Sequence, residues 1–284
     1  MRTKIHWKLH NHCTAECSYC PARFWGGGTP HEVIRYLEVT QKLITHYKSI
    51  GRVIDWTFDG GEPLDMFDFP MILKLCKENG GTIELNTNGG KLWLDWWAIE
   101  PHVDFLNLTY HYWQRPTLIK FIIDAFRKKD KPVTISVPIR PDFFNEDIQR
   151  ALDVEIQYDI IVGKSVLYNE ADPVGGIFPY TESQLRIMGG EDLVREHLHF
   201  KETTFAEQSQ EKVDRNPSFT NMLCNAGIEA LKISHDGWAT GSDCNNRPLG
   251  NIWTGVNLPS DPHVCCMMAC ISGSDQQITK FNIT

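Results

Sequence analysis

Apolar and polar residues alternate over 4–9, where Ile5, Trp7 and Leu9 fall on one side of the chain. That period of two predicts a short strand. The next run has a different period: Val33, Ile34, Leu37, Leu43, Ile44 and Tyr47 follow one helical face. Thr29 and Pro30 suit the start of this helix, Glu32 completes a capping box with Thr29, and Gly51 ends it. The exchange of periods then repeats. Further strands are predicted over 53–58, 82–87, 103–110, 133–139 and 154–162. The helices between them are one opened by Asp68 and Pro70 that runs through Cys76 to Gly80 and Gly81, and a Trp-rich one over 92–99. Two more follow: one marked by Leu118, Ile119, Ile122, Ile123 and Phe126, and a short one over 146–152.

Strand followed by helix, six times over, demands a parallel sheet with right-handed crossovers. The expected fold is α/β, a partial (β/α)6 barrel of parallel strands. In such barrels the chemistry sits at the C-terminal ends of the strands. After about residue 181 the alternation fails, although one more helix is expected over 184–188. Residues 200–220 are polar and read as a linker. The expected organisation is a barrel over 1–199 and a small cysteine-rich domain over 200–284.

Composition narrows the function classes. With 42% hydrophobic residues, the 284-residue chain can bury a sizeable core. A net charge of -8 and a pI near 5.8 leave no broad basic surface for nucleic acid. No run of eighteen apolar residues suggests a membrane span, and residues 1–6 do not look like a signal peptide. Nine cysteines without a secretion signal point to a reducing, cytoplasmic setting and to metal chemistry rather than a disulfide framework.

The densest chemistry is Cys13-Thr14-Ala15-Glu16-Cys17-Ser18-Tyr19-Cys20, which places three thiols in a C-x3-C-x2-C spacing just after the first strand. Thiolates are soft ligands suited to iron–sulfur clusters, zinc or copper(I). A structural zinc site is closed and four-coordinate, so a zinc reading needs His10 or His12 as the fourth ligand. A cube held by three cysteines instead leaves one iron open. Gly26, Gly27 and Gly28 permit an irregular backbone after this loop. The second strand runs into Gly60-Gly61-Glu62-Pro63 and the third into Asn88-Gly89, so all three loops belong at one end of the sheet. Cys76 lies on an apolar helical face and reads as a small buried hydrophobe.

The cysteine spacing, the aromatic Tyr19 and the Gly60–Pro63 motif one β/α unit later together resemble the radical S-adenosylmethionine (radical SAM) superfamily. The resemblance covers roughly residues 1–165 as a fold and only a few loops as motifs. It implies that Cys13, Cys17 and Cys20 hold a [4Fe–4S] cluster whose open iron chelates SAM. It also implies that Tyr19, Gly60, Gly61, Glu62 and Pro63 position SAM, with Gly61 leaving the ligand room and the Glu62 carboxylate facing its ammonium. Asn88, His111 and Arg140, after the third, fourth and fifth strands, are further candidates for contact with SAM; a turn residue, a rim histidine and a surface ion pair are their ordinary alternatives. The implied activity is that of an enzyme cleaving SAM reductively to a 5′-deoxyadenosyl radical that removes a substrate hydrogen atom. The implied electron donor is a flavodoxin or ferredoxin.

Cys224, a turn at Asp236-Gly237, Cys244 and then Cys265, Cys266 and Cys270 resemble the SPASM or twitch extensions of that superfamily. Those hold auxiliary [4Fe–4S] clusters. Six residues separate Gly237 from Cys244, a longer spacing than the family's usual one. Five cysteines suffice for one auxiliary cluster, held by Cys224, Cys244, Cys266 and Cys270, with Cys265 as the alternative to Cys266. A four-cysteine structural zinc is the other reading. The extension favours a peptide, protein or small metabolite as substrate; a nucleotide or nucleic-acid base is the alternative, and a non-enzymatic metal protein the third.

Overall fold

The computed structural model describes residues 1–20, 31–90, 93–167, 178–202, 219–241, 247–265, 270 and 277–282. The first half is a run of β/α units: β1 (Arg2–Lys8), α1 (Val33–Ser49), β2 (Val53–Asp59), α2 (Phe69–Glu78), β3 (Thr82–Thr87), α3 (Trp93–Ile99), β4 (Phe105–Thr109), α4 (Pro116–Arg127), β5 (Val133–Pro138), α5 (Phe144–Tyr158) and β6 (Val162–Ser165). Each strand from β1 to β6 pairs in parallel with the next. Sequential order with right-handed crossovers puts the helices on one face of the sheet. The architecture is a partial β/α barrel: a mostly parallel sheet curved around one free face and covered by helices on the other.

The buried face is apolar and continuous with the helices. Ile5, Trp7, Trp56, Phe58, Ile83, Leu85, Leu106, Leu108 and Ile135 pack with Tyr36, Leu43, Phe69, Ile72, Ile119 and Phe126 in one core. Trp56 and Phe58 stack within it, with ring centroids 5.6 Å apart. The opposite face of the same strands is polar: His6, Thr57, Asp59, Glu84, Asn86, Asn107, Thr109 and Ser136 are only half-buried. A parallel sheet covered on both faces reads as continuous apolar runs. The strict alternation here means that the second face lines a solvated interior.

Two sequence expectations need correction. Residues 154–158 are helix, not the start of a sixth strand, because α5 runs unbroken to Tyr158. Val154, Ile156 and Tyr158 alternate like a strand, but Asp147, Ala151, Val154 and Tyr158 share the buried helical stripe and Ile156 is 81% exposed. Asp159 ends the helix in the left-handed region (φ 49°), and β6 follows with the weakly apolar Val162-Gly163-Lys164-Ser165. The first helix begins at Val33 with Glu32 as its cap residue, without a side-chain capping bond; Thr29 and Pro30 lie outside the described residues.

α6 (Glu182–Glu202) breaks at Gly190, and the expected boundary at residue 199 falls within it. The C-terminal strands are β7 (Leu223–Cys224), β8 (Ala230–Ile233), β9 (Trp238–Thr240), β10 (Pro248–Asn251), β11 (Gly255–Val256), β12 (His263–Val264) and β13 (Lys280–Phe281). β8 pairs in parallel with β1, and β9, β10 and β11 extend the sheet beyond it by antiparallel pairing. The β8–β9 hairpin turns at Asp236-Gly237 as expected, with Gly237 at φ 87°. β12, β7 and β13 form a separate small sheet.

Candidate functional site

The loops after β1 and β2 are laced together by their backbones. Leu9 N donates to Asp59 O at 2.9 Å, Gly61 N to His10 O at 2.7 Å and Glu62 N to His12 O at 2.8 Å. This extends strand pairing past the sheet and into the cysteine loop. The approach is so close that only glycine fits. A Cβ on Gly60 would lie 2.5 Å from His10 O, and one on Gly61 would overlap the His12 carbonyl with His12 N at 2.8 Å. The space beside Gly61 is therefore filled by the cysteine loop itself rather than reserved for a ligand. Asp65, in the turn Pro63–Asp65, adds a side-chain tie: its carboxylate accepts from Thr14 N at 2.7 Å and Thr14 Oγ1 at 3.1 Å.

Glu62 ties in the third loop. Its carboxylate is buried and accepts from Leu64 N at 2.9 Å, Thr87 Oγ1 at 2.6 Å and Asn88 N at 2.7 Å. Burial pushes this carboxyl up to about 7, against the three hydrogen bonds that lower it. The donors on Glu62 are thus protein groups at the ends of β2 and β3. Glu62→Gln keeps the shape but turns an amide NH2 toward groups that already donate. The variant is expected to lose about 1–3 kcal/mol of stability, measurable as a shifted denaturation midpoint with unchanged slope.

The three thiols line a single cavity of about 220 Å³. Cys13, Cys17 and Cys20 share its wall with Gly60, Gly61, Glu62, Asn88 and His111. Two of the sulfurs carry nitrogen neighbours: Asn88 Nδ2 lies 3.7 Å from Cys13 Sγ and Trp113 Nε1 lies 3.3 Å from Cys17 Sγ. Burial pushes the Cys13 thiol up to about 11. The His111 ring is nearly parallel to those of Tyr19 and Trp113, with centroids at 6.0 and 5.5 Å. The Tyr19 hydroxyl and His111 Nδ1 are hydrogen-bonded to each other, and burial lowers that imidazole to about 4, which favours the neutral ring. Among the described residues, no group of three or more His, Cys, Asp or Glu side chains converges closely enough to hold a single metal ion.

The cavity opens onto the polar inner face through Asp59, Asn86 and Thr109. A relay there fixes which groups donate. The Glu84 carboxylate can only accept, so Asn107 presents its Nδ2 to Glu84 and, at 2.7 Å, to Asn86 Oδ1. Asn86 is left with its NH2 as the remaining donor. Asp59 holds His6 Nε2 through Oδ2 at 2.7 Å, while its buried Oδ1 has no protein partner.

Arg140 stands apart from the cavity wall. Its Nε and Nη2 grip the fully buried Asp147 at 2.8 Å each, and Tyr112 and Phe143 stack against its guanidinium at 4.0 and 4.3 Å. Pro63 is the buried first residue of the turn that presents Asp65. Sequence reading missed Asp65, Thr87 and Trp113. Trp113 was within the noted fourth-strand end, but its bond to Cys17 spans 96 residues and leaves no local trace.

In the tail, Cys224, Cys265 and Cys270 are all buried, and Cys224 and Cys265 share a small core with Ala226 and Ile278. Burial raises the Cys224 thiol, with Cys265 and Cys270 raising it further and Lys280 lowering it. Cys265, the alternative to Cys266, is buried beside Cys224. Cys244 and Cys266 lie outside the described residues.

Solved structures with this fold exist. SuiB of Streptococcus suis bound to precursor peptide SuiA superposes with a TM-score of 0.56 at 15% identity, over 90% of this chain and 64% of that one. SuiB bound to S-adenosylmethionine gives 0.53 at 15% identity, over 93% and 63%. Native anSMEcpe with bound AdoMet and Cp18Cys peptide gives 0.50 at 13% identity, over 90% and 78%. At such identities the likeness establishes the fold. No protein-family model matches the chain, and no curated protein matches it either.

Proposed function

We propose that the chain is a radical SAM enzyme. One observation carries this reading: the C-x3-C-x2-C loop and the Gly-Gly-Glu-Pro loop, far apart in spacing and chemistry, are hydrogen-bonded to each other around one cavity at the C-terminal ends of the strands. The donor set fits a [4Fe–4S] cluster on three thiolates: soft ligands, nitrogen donors beside two sulfurs and an open side toward the cavity. A cluster held there by Cys13, Cys17 and Cys20 would supply one-electron reducing chemistry for the cleavage of SAM and, through it, hydrogen-atom removal from a substrate.

The chain's own residues build the rest of the site. Cys13, Cys17 and Cys20 hold the cluster. Gly60, Gly61, Glu62, Pro63 and Asn88 shape the wall against which SAM lies, with Tyr19 and His111 closing one side. Arg140, anchored on Asp147, fixes Tyr112 at the mouth. The polar inner face, with the Asn86 amide and the open oxygen of Asp59, suits a substrate rich in hydrogen-bonding groups, such as a peptide or small polar metabolite. The fold shared with peptide-bound SuiB supports the same class. Cys224, Cys270 and Cys265 or Cys266, with Cys244, hold a second [4Fe–4S] cluster in the C-terminal segment, and a flavodoxin or ferredoxin supplies the electron. No helix among the described residues is long and apolar enough to cross a membrane.

Anaerobic reconstitution tests the two centres together. The protein is expected to take up about eight iron and eight sulfide per chain, as two cubes. Replacing Cys13, Cys17 and Cys20 with Ala is expected to leave about half. Zinc in the tail in place of iron would overturn the second centre and leave the first standing.

A further inference from the structure

We propose that Trp113 sets the reduction potential of the Cys13/Cys17/Cys20 cluster through its indole N–H; this rests on the radical SAM reading of that site. Trp113 Nε1 lies 3.3 Å from Cys17 Sγ. An indole nitrogen can only donate, so the direction of this bond is unambiguous. The other nitrogen near Cys17 is different. His111 Nδ1 is 3.7 Å from the sulfur and is also bonded to the Tyr19 hydroxyl, and whether it donates or accepts depends on the tautomer of the ring. Trp113 therefore points a positive N–H end at this sulfur whichever tautomer His111 adopts.

The indole is held in place for that task. It stacks on His111 at an interplanar angle of 11°, and the Tyr19 hydroxyl bonds His111 Nδ1. Gln114, the next residue, pins the turn: its N donates to His111 O at 3.1 Å, and its side chain bonds both His111 N and Asn88 O. Trp113 itself remains 39% exposed, so one ring edge meets solvent while the N–H meets the sulfur.

The effect on potential follows from charge. Reduction adds an electron to the cluster and raises the negative charge on its ligand sulfurs. A hydrogen bond to such a sulfur stabilises the reduced form more than the oxidised form and raises the potential. Loss of the N–H then makes the cluster harder to reduce. Admission of water beside the sulfur acts in the opposite direction, because solvent also stabilises added charge. The sign of the shift separates the two causes.

The test is an EPR-monitored redox titration of the reconstituted protein and its Trp113→Phe variant. The signal that SAM perturbs identifies the cluster with the open iron. The variant is expected to keep its iron and to show about a tenfold lower reduced-to-oxidised ratio at a fixed applied potential, a negative shift of about 59 mV for one electron. A second variant carries benzothienylalanine at position 113, which keeps the bicyclic ring and replaces N–H with sulfur; the same negative shift is expected. An unchanged or raised potential in either variant, with the cluster intact, overturns the proposal. Loss of the cluster in both variants also overturns it, since Trp113 would then serve assembly. Wild-type protein that binds no cluster through these cysteines contradicts the radical SAM reading instead.

Discussion

Gly61→Val is expected to cost the protein its Cys13/Cys17/Cys20 centre outright. The reason is steric and lies in the cysteine loop's own backbone. A side chain on Gly61 would overlap the His12 carbonyl, and His12 is the residue immediately before the first ligand. Neither partner can yield cheaply. Gly61 N is bonded to His10 O, Glu62 N to His12 O and Thr14 to Asp65, so the clash would be relieved only by pulling the cysteine loop off β2. From sequence alone Gly61 reads as room for a ligand, so that its substitution would block SAM and spare the cluster. The geometry reverses that expectation: cluster assembly fails first. Iron content and the EPR signal of the reconstituted variant measure this. Gly255→Ala is the control, because a Cβ there meets nothing within 4 Å; its stability is expected to stay within about 0.5 kcal/mol of the parent. Full iron loading and a normal signal in Gly61→Val would mean that the two loops are not held together as described.

Cys17→Ala is expected to abolish SAM cleavage. Cys17 is the middle ligand, 4% exposed, and its sulfur is met by Trp113. The two remaining thiolates do not hold a cube with a defined open iron, so the electron never reaches SAM. The expected readout is 5′-deoxyadenosine at the level of a reaction without protein. Cys76→Ala is the matched control. That cysteine is buried on α2 within the main core, so its variant loses some stability but retains product formation. Equal loss in both would point to general unfolding rather than to a ligand.

The β/α frame was legible because periodicity is local. β3 runs over the residues expected from sequence, and the other strands and helices of the first five units overlap their expected spans. α5 was misread because Val154-Glu155-Ile156-Gln157-Tyr158 satisfies both periods at once, and only packing shows that Ile156 points outward. The three site loops were legible because glycine, proline and cysteine carry strong local signals. What held those loops together was not. Asp65, Thr87 and Trp113 adjoin the noted motifs but act across 51, 25 and 96 residues of chain, and no local signal names their partners. The polar inner face was visible as alternation in β2, β3 and β4, but its meaning required knowing that the helices cover only the other side. In the tail, C-x3-C spacing favoured Cys266, which lies outside the described residues, while Cys265 packs with Cys224 in a small core.

The most direct measurement is the fate of SAM itself. Reconstituted protein is reduced under anaerobic conditions, reduction of the cluster is verified by EPR, and SAM is added. Formation of 5′-deoxyadenosine together with methionine, dependent on Cys17, is the expected result. Intact SAM after verified reduction, with peptide and small polar substrates also supplied, would contradict it.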